Sequence, residues 1–324
     1  MNYTDNALNV MAARTFKGIG RAWFAKNLGT VKTANEIVAL LNKSIKNQDP
    51  VTLEDFERKK ALLEHLLEKN SAYIDGVTVI GDPGVPLYRG KVKPSEQPAF
   101  LFYRGDLSLL AAGSNNIAVI GLLEPDAETE SFERAVVAEL VARGVVIVSG
   151  LGFGCDSIAH RQTLESDGKT VAILPSPLSN IIPAANRDLA GEIVESGGLL
   201  VSEYLTEAKT KMEMTGRYQE RDRLQALFSN AVVLSASYAK NDQGNDSGSR
   251  LAMGYAKDYE LTRAVLYDPI INVNNQKYDL NRQIISEQPS AIIIASNSLE
   301  AGVSKLVGLQ GGTKVEVPQQ INMI

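Results

Sequence analysis

Gly150, Gly152 and Gly154 fall within five residues, directly after the apolar run 145–148 and directly before 155–166, which reads as a helix. Lacking Cβ atoms, glycines let the backbone turn sharply and approach a bound group closely. The free N–H groups of the helix start that follows present partial positive charge. Ser149, the three glycines and Asp156 therefore form a candidate anion site, with phosphate the natural occupant. A plain tight strand-to-helix turn accounts for the same spacing, and the pattern alone leaves both readings open.

Arg217, Arg221 and Arg223 cluster within another helical stretch, 217–229. A guanidinium donates two parallel hydrogen bonds and keeps its charge, which suits phosphate; ion pairing with Glu203, Glu220 or Asp222 is the competing use. Ser247, Gly248 and Ser249 open a further helix, where hydroxyls cap free amides or meet a phosphate. Near the N-terminus, 16–21 followed by Phe24 and Leu28 resembles a helix-hairpin-helix turn. Gly18 and Gly20 are thus a candidate secondary DNA contact, although many such turns only pack helices. No catalytic group stands out: His160 lacks a partner motif and reads as a buried, hydrogen-bonded histidine, as does His65 on its Leu-rich helix. Asp156 is expected to brace the glycine loop and Cys155 to pack. One Cys and two His cannot build the usual multi-ligand metal cluster, and neither a metal nor another cofactor is expected.

These groups need a scaffold, and 324 residues with 44% hydrophobic content supply enough apolar material for two domains. A formal charge of −5 excludes a wholly basic nucleic-acid coat, so phosphate binding must be local. The first ten residues have no signal-peptide pattern and no run is apolar enough to span a bilayer, so a cytoplasmic location without membrane contact is expected. Residues 1–70 read as a small helical domain and 71–113, rich in Pro and Gly, as an extended connector. From 114 to 324 strands alternate with helices, the pattern of a parallel sheet with crossover helices. Strands are expected at 116–121, 145–149, 170–174, 198–202, 231–236 and 263–267, and helices at 130–143, 155–166, 186–196, 217–229 and 248–259. The tail adds a strand at 291–295 and a helix at 299–306. Open α/β sheets bind ligands beyond the carboxyl ends of their strands, where most of the motifs fall.

The run Ser149-Gly150-Leu151 through Gly154, Asp156, Ala159 and His160 resembles the signature of the DprA/Smf DNA-processing family. Gly198 with Ser202-Glu203-Tyr204 resembles that family's Gly-x-x-x-Ser-Glu-Tyr. Tyr218 with Arg221-Asp222-Arg223 resembles its Phe-x-x-Arg-Asn-Arg, and Ser247-Gly248-Ser249 its Ser-Gly-Ser helix start. Asp82-Pro83 and Tyr103-Arg104-Gly105-Asp106 resemble the family's lead-in. The resemblance implies a Rossmann-like, mostly parallel sheet of the SLOG type, preceded by a small SAM or helix-hairpin-helix domain. It also implies binding of single-stranded DNA, delivery to a RecA-type recombinase in DNA uptake or recombination, and a homodimer rather than an enzyme. It places Arg221 and Arg223 at the family's paired arginines.

The chain departs from the family in places. Gly121-Leu122-Leu123 stands where Gly-Ser-Arg is usual, removing an arginine; Pro175-Ser176-Pro177 replaces a Gly-rich turn, though Pro183 and Asn186 remain. No winged-helix domain is recognised in the tail. A nucleotide-sensing module fits the same cleft, whereas a nucleoside-monophosphate phosphoribohydrolase would carry Pro-Gly-Gly-x-Gly-Thr-x-x-Glu, which does not occur here.

Overall fold

A computed structural model describes residues 1–45, 49–241 and 248–311. Four helices come first: α1 (Asp5–Arg14), α2 (Arg21–Asn27), α3 (Ala34–Ser44) and α4 (Leu53–Lys69). Thr4, Thr33 and Thr52 start three of them by accepting the backbone N–H of Ala7, Glu36 and Asp55; at α3 the Glu36 carboxylate reciprocates in a capping box. One face of α4 packs inward through Phe56 and Leu67. His65 falls on the other, with its side chain 61% exposed, so the expected buried histidine is a surface group.

Residues 71–113 are more than a connector. They contain β1 (Gly76–Val79) and β2 (Phe100–Gly105), which pair antiparallel. Pro83, Pro86, Pro94 and Pro98 fall in the loop between them, where a missing N–H costs no ladder hydrogen bond. The alternating region then gives β3 (Asn116–Ile120), α5 (Ala127–Ala142), β4 (Val146–Ser149), α6 (Cys155–Glu165), β5 (Thr170–Leu174) and α7 (Arg187–Glu195). It continues with β6 (Leu199–Ser202), α8 (Lys211–Leu227), β7 (Ala231–Leu234), α9 (Ser249–Asp258) and β8 (Thr262–Leu266). Helix α8 starts well before the expected 217 because Thr210 caps the N–H of Glu213. The tail adds α10 (Asp279–Glu287), which the sequence pattern did not announce, β9 (Ile292–Ile294) and α11 (Leu299–Gly311).

All nine strands join one sheet in the order β1-β2-β6-β5-β4-β3-β7-β8-β9 among the described residues. Neighbours from β6 to β9 run parallel, and β2 runs antiparallel against β6. From β3 the chain steps outward through β4, β5 and β6, then crosses back to β7 and steps outward the other way. The order therefore reverses beside β3, as in doubly wound Rossmann-like folds. One apolar cluster gathers Leu224, Leu227, Met253 and Ile284 from α8, α9 and α10; another gathers Val136, Leu140, Val303 and Leu306 from α5 and α11. A third joins Leu8, Phe24 and Phe56 of the N-terminal helices to Val77, Phe102 and Leu200 of the sheet. Each such side chain contributes about 1.5–3 kcal/mol on burial, so the helical region is held by a shared core rather than by a tether.

Candidate functional site

A cleft of about 310 Å³ opens beyond the carboxyl ends of β3, β4, β5 and β7, where the strand order reverses. Gly121 and Leu123 enter it after β3, Gly152 and Phe153 after β4, Pro183 after β5, and Gly248 and Ser249 at the start of α9. Helix α8 closes one wall with Tyr218, Arg221, Asp222 and Gln225, residues whose three- and four-residue spacing puts them on one face.

Asp156 is the hub. Its carboxylate accepts from Gly152 N–H at 3.1 Å and from Arg221 Nη1 at 3.0 Å, and Ser149 Oγ lies 3.1 Å away while also reaching the Val119 carbonyl at 2.7 Å. Asn186 fixes the loop from the other side, donating to the carbonyls of Leu151 and Gly152 at 2.9 Å each. Those bonds hold Leu151, fully buried, in the left-handed region at φ +58°.

The glycines serve the protein's own packing before any ligand. A Cβ on Gly150 would overlap Arg221 Nη1, and one on Gly154, at φ +64°, would strike the carbonyls of Leu122 and Leu123. Of the three loop glycines, Gly152 alone lines the cleft. Three amides of the expected anion cradle are taken: Gly152 N–H by Asp156, Cys155 N–H by the Leu122 carbonyl at 2.9 Å, and Gly150 N–H by the Gln225 amide oxygen at 3.2 Å once that amide is turned to face it. The glycine loop is therefore a packed turn that brings one of its three glycines to the cleft.

Arg221 is 8% exposed and lies 3.3 Å from Asp222 through Nε as well as against Asp156. Burial disfavours its charge, but Asp222 and Asp156 more than offset this and hold its pKa above the ordinary arginine value. Asp222, 5% exposed, accepts no hydrogen bond from a described residue; burial pushes its carboxyl up to about 7, against the pull of Arg221. Glu133 is wholly buried beside Cys155 and Ser235, and burial raises its pKa to about 8 against the pull of those two weak donors. Cys155 lies beside it, its thiol pushed up by burial and then by Glu133, and its sulfur fills the space a Gly121 side chain would need. Among the described residues no cluster of three His, Cys, Asp or Glu is placed to hold a metal ion.

A family model described as DNA recombination-mediator protein A matches residues 77–301. The chain belongs to that family. Protein Smf of Synechocystis is 27% identical over 249 residues, which cover 76% of this chain but 57% of that protein. The chain thus spans less than two thirds of that curated relative. The crystal structure of DNA processing protein A from Streptococcus pneumoniae superposes with a TM-score of 0.69 at 21% identity, covering 94% of this chain and 98% of that one, and shares its fold. A structure of DNA processing protein A from Helicobacter pylori, described for its single-stranded DNA binding mode, gives a TM-score of 0.54 at 25% identity over 69% of this chain and 98% of its own.

In this recombination-mediator family member the other expected site residues scatter. Arg223 does not reach the cleft: it is fully buried and bound to Glu203, Glu220 and the Glu96 carbonyl. Arg217 is held by the Thr206 carbonyl and Glu213, its guanidinium 4.1 Å over the Tyr204 ring. Ser249 Oγ donates to the Gly121 carbonyl at 2.9 Å, tying α9 to the loop after β3, and Gly248 precedes α9 without a side-chain cap. Ser247 lies outside the described residues. Gly20 borders a separate groove with Arg14, Arg21, Glu203 and Glu220; Gly18, exposed at φ +86°, lines no part of the cleft. His160 is buried with Nδ1 2.7 Å from Thr170 Oγ1, and burial lowers its pKa to about 4. Phe153, Gln225 and Glu133 escaped sequence reasoning; Leu123 was read only as a departure from the family pattern, and Asp222 only as an ion-pair partner, which it is for Arg221. The spacing 218, 221, 222, 225 was the available signal for the α8 wall, read for its arginines alone.

Proposed function

We propose that this chain binds single-stranded DNA with the cleft as the seat of one nucleotide unit and hands the strand to a RecA-type recombinase during DNA uptake or recombination. The observation that carries this reading is the position of the cleft. It lies where the strand order reverses, within the segment matched by the recombination-mediator family, in a fold shared with a Helicobacter pylori protein described for single-strand binding. A second groove adjoins it across the loop after β5, lined by Pro177, Ile182, Lys209, Thr210 and Lys211. Lys209 and Lys211 are exposed and lie within 4 Å of no described carboxylate at their ammonium groups, so they are cations available to a backbone beside Glu207 of the same groove, where the net charge of −5 denies the molecule a general positive field. Strand loading acts through binding, not bond cleavage, and takes place in the cytoplasm on a homodimer; family resemblance supports these finer points. No described helix is long and apolar enough to cross a membrane.

Fluorescence anisotropy with single-stranded and duplex oligonucleotides over a range of salt tests the reading. The logarithm of affinity for the single strand should fall with that of salt, with a slope of about −0.7 per phosphate neutralised. Tight, salt-independent binding of one mononucleotide with no affinity for DNA would instead establish a nucleotide sensor.

A further inference from the structure

The strand reading leaves open which part of a nucleotide the cleft takes. Its one guanidinium among the described lining residues, Arg221, is already shared between Asp156 at 3.0 Å and Asp222 at 3.3 Å. The amides of Gly150, Gly152 and Cys155 have partners within the protein. A phosphate entering here would meet two carboxyl groups and no uncommitted cation. A nucleobase would meet a different surface, because Phe153, 52% exposed, Tyr218 and Leu123, 60% exposed, offer aromatic and apolar faces against which a planar ring packs. The volume of about 310 Å³ lies at the small end of ligand pockets, suited to one base rather than a stack.

Resting on the single-strand reading above, we propose that the cleft receives a nucleobase and that Asp222 reads its hydrogen-bonding edge, with guanine the base that fits. Asp222 is 5% exposed, lines the cavity and accepts no hydrogen bond from any described residue. A buried carboxyl group in that state calls for donors. Guanine presents adjacent N1–H and N2–H donors on one edge, which match the two oxygens of one carboxylate. Thymine sets a single N–H between two carbonyl oxygens, and adenine and cytosine set their amine beside an acceptor nitrogen; each turns a lone pair toward the carboxylate. Lys209 and Lys211 in the adjoining groove are left to meet the phosphates.

The test uses the full chain and labelled oligothymidylates of about 15 nucleotides carrying one central dG, inosine, dA, dC or no replacement. Expected is a preference of about tenfold for dG over all-thymidine, with inosine, lacking the 2-amino donor, falling between. Asp222→Asn should erase that preference while still binding thymidylate, and Phe153→Ala, at an exposed position, should weaken every oligonucleotide while keeping the order. Equal binding of all oligonucleotides by the wild type overturns the base inference and leaves the single-strand reading standing. Competition by inorganic phosphate that strengthens in Asp222→Asn makes the cleft a phosphate site and overturns it too. Failure to bind any oligonucleotide ends both.

Discussion

Arg221 and Arg223 stand two residues apart on α8, on opposite sides of the helix, and both are neutralised by carboxylates. Around Arg221 the network borders a cavity, and one of its members, Asp222, keeps unused hydrogen-bonding capacity. Around Arg223 the network closes a seam: Glu203 and Glu220 bind it from one side, Arg21 of the N-terminal helices joins the same carboxylates, and the Glu96 carbonyl completes the tie. Two similar sets of charges thus do different work. What separates them is access, since a fully enclosed ion-paired arginine can only position its neighbours, whereas one at a cavity wall also sets the charge a ligand meets.

Arg223→Ala tests the seam and should have the largest effect. Removing a wholly buried guanidinium leaves Glu203, 12% exposed at its side chain, with only the longer contact to Arg21 at 3.9 Å, and should lower stability by about 3 kcal/mol, read from the urea unfolding midpoint. Unchanged unfolding with lost DNA binding would move Arg223 from the seam to the ligand. Gly150→Ala probes the cleft network next. Its Cβ would displace Arg221 Nη1 from Asp156, at a cost of about 1–3 kcal/mol in thermal denaturation. Gly152→Ala, whose Cβ meets only Asp156 Oδ2 at 2.9 Å, should cost clearly less. Equal costs would mean that the loop glycines are not distinguished by Arg221.

Glu133→Gln gives a smaller, pH-dependent effect. The folded protein favours the protonated acid, with a pKa of about 8 against an ordinary 4.5. Its contribution to stability is therefore complete below pH 4.5 and is lost as pH rises through 8. Asp222, raised from 3.8 to about 7, acts with the same sign, whereas His160, lowered to about 4, costs stability as pH falls from 6.5. The variant should melt further above wild type at pH 8 than at pH 5. A pH-independent difference would show that Glu133 is not held neutral.

The sheet was largely legible because its strands are short apolar runs separated by helical stretches, a pattern that records burial on both faces. Strands β1 and β2 were not, since the prolines of the loop between them dominate the composition of 71–113. The family and the cleft's location were carried by the spacing of Gly150 to His160 and Tyr218 to Arg223. The state of each group was not: whether a glycine faces a ligand or an arginine, and whether an arginine faces a cavity or a seam, depends on packing between residues far apart in the chain. His65 shows the same limit. A Leu-rich neighbourhood in sequence left it on the exposed side of α4, because a helix buries one stripe and turns the rest to water.

Leu123→Glu tests the central claim that the cleft seats a nucleotide of the strand. Leu123 is 60% exposed at the cleft wall, so the substitution should change stability by less than about 0.5 kcal/mol. The new carboxylate would repel the strand's phosphates. Measured together by anisotropy and thermal unfolding, the account predicts single-stranded DNA binding weaker by about tenfold at an unchanged melting temperature. Wild-type affinity in the folded variant would place the strand elsewhere on the molecule and contradict it.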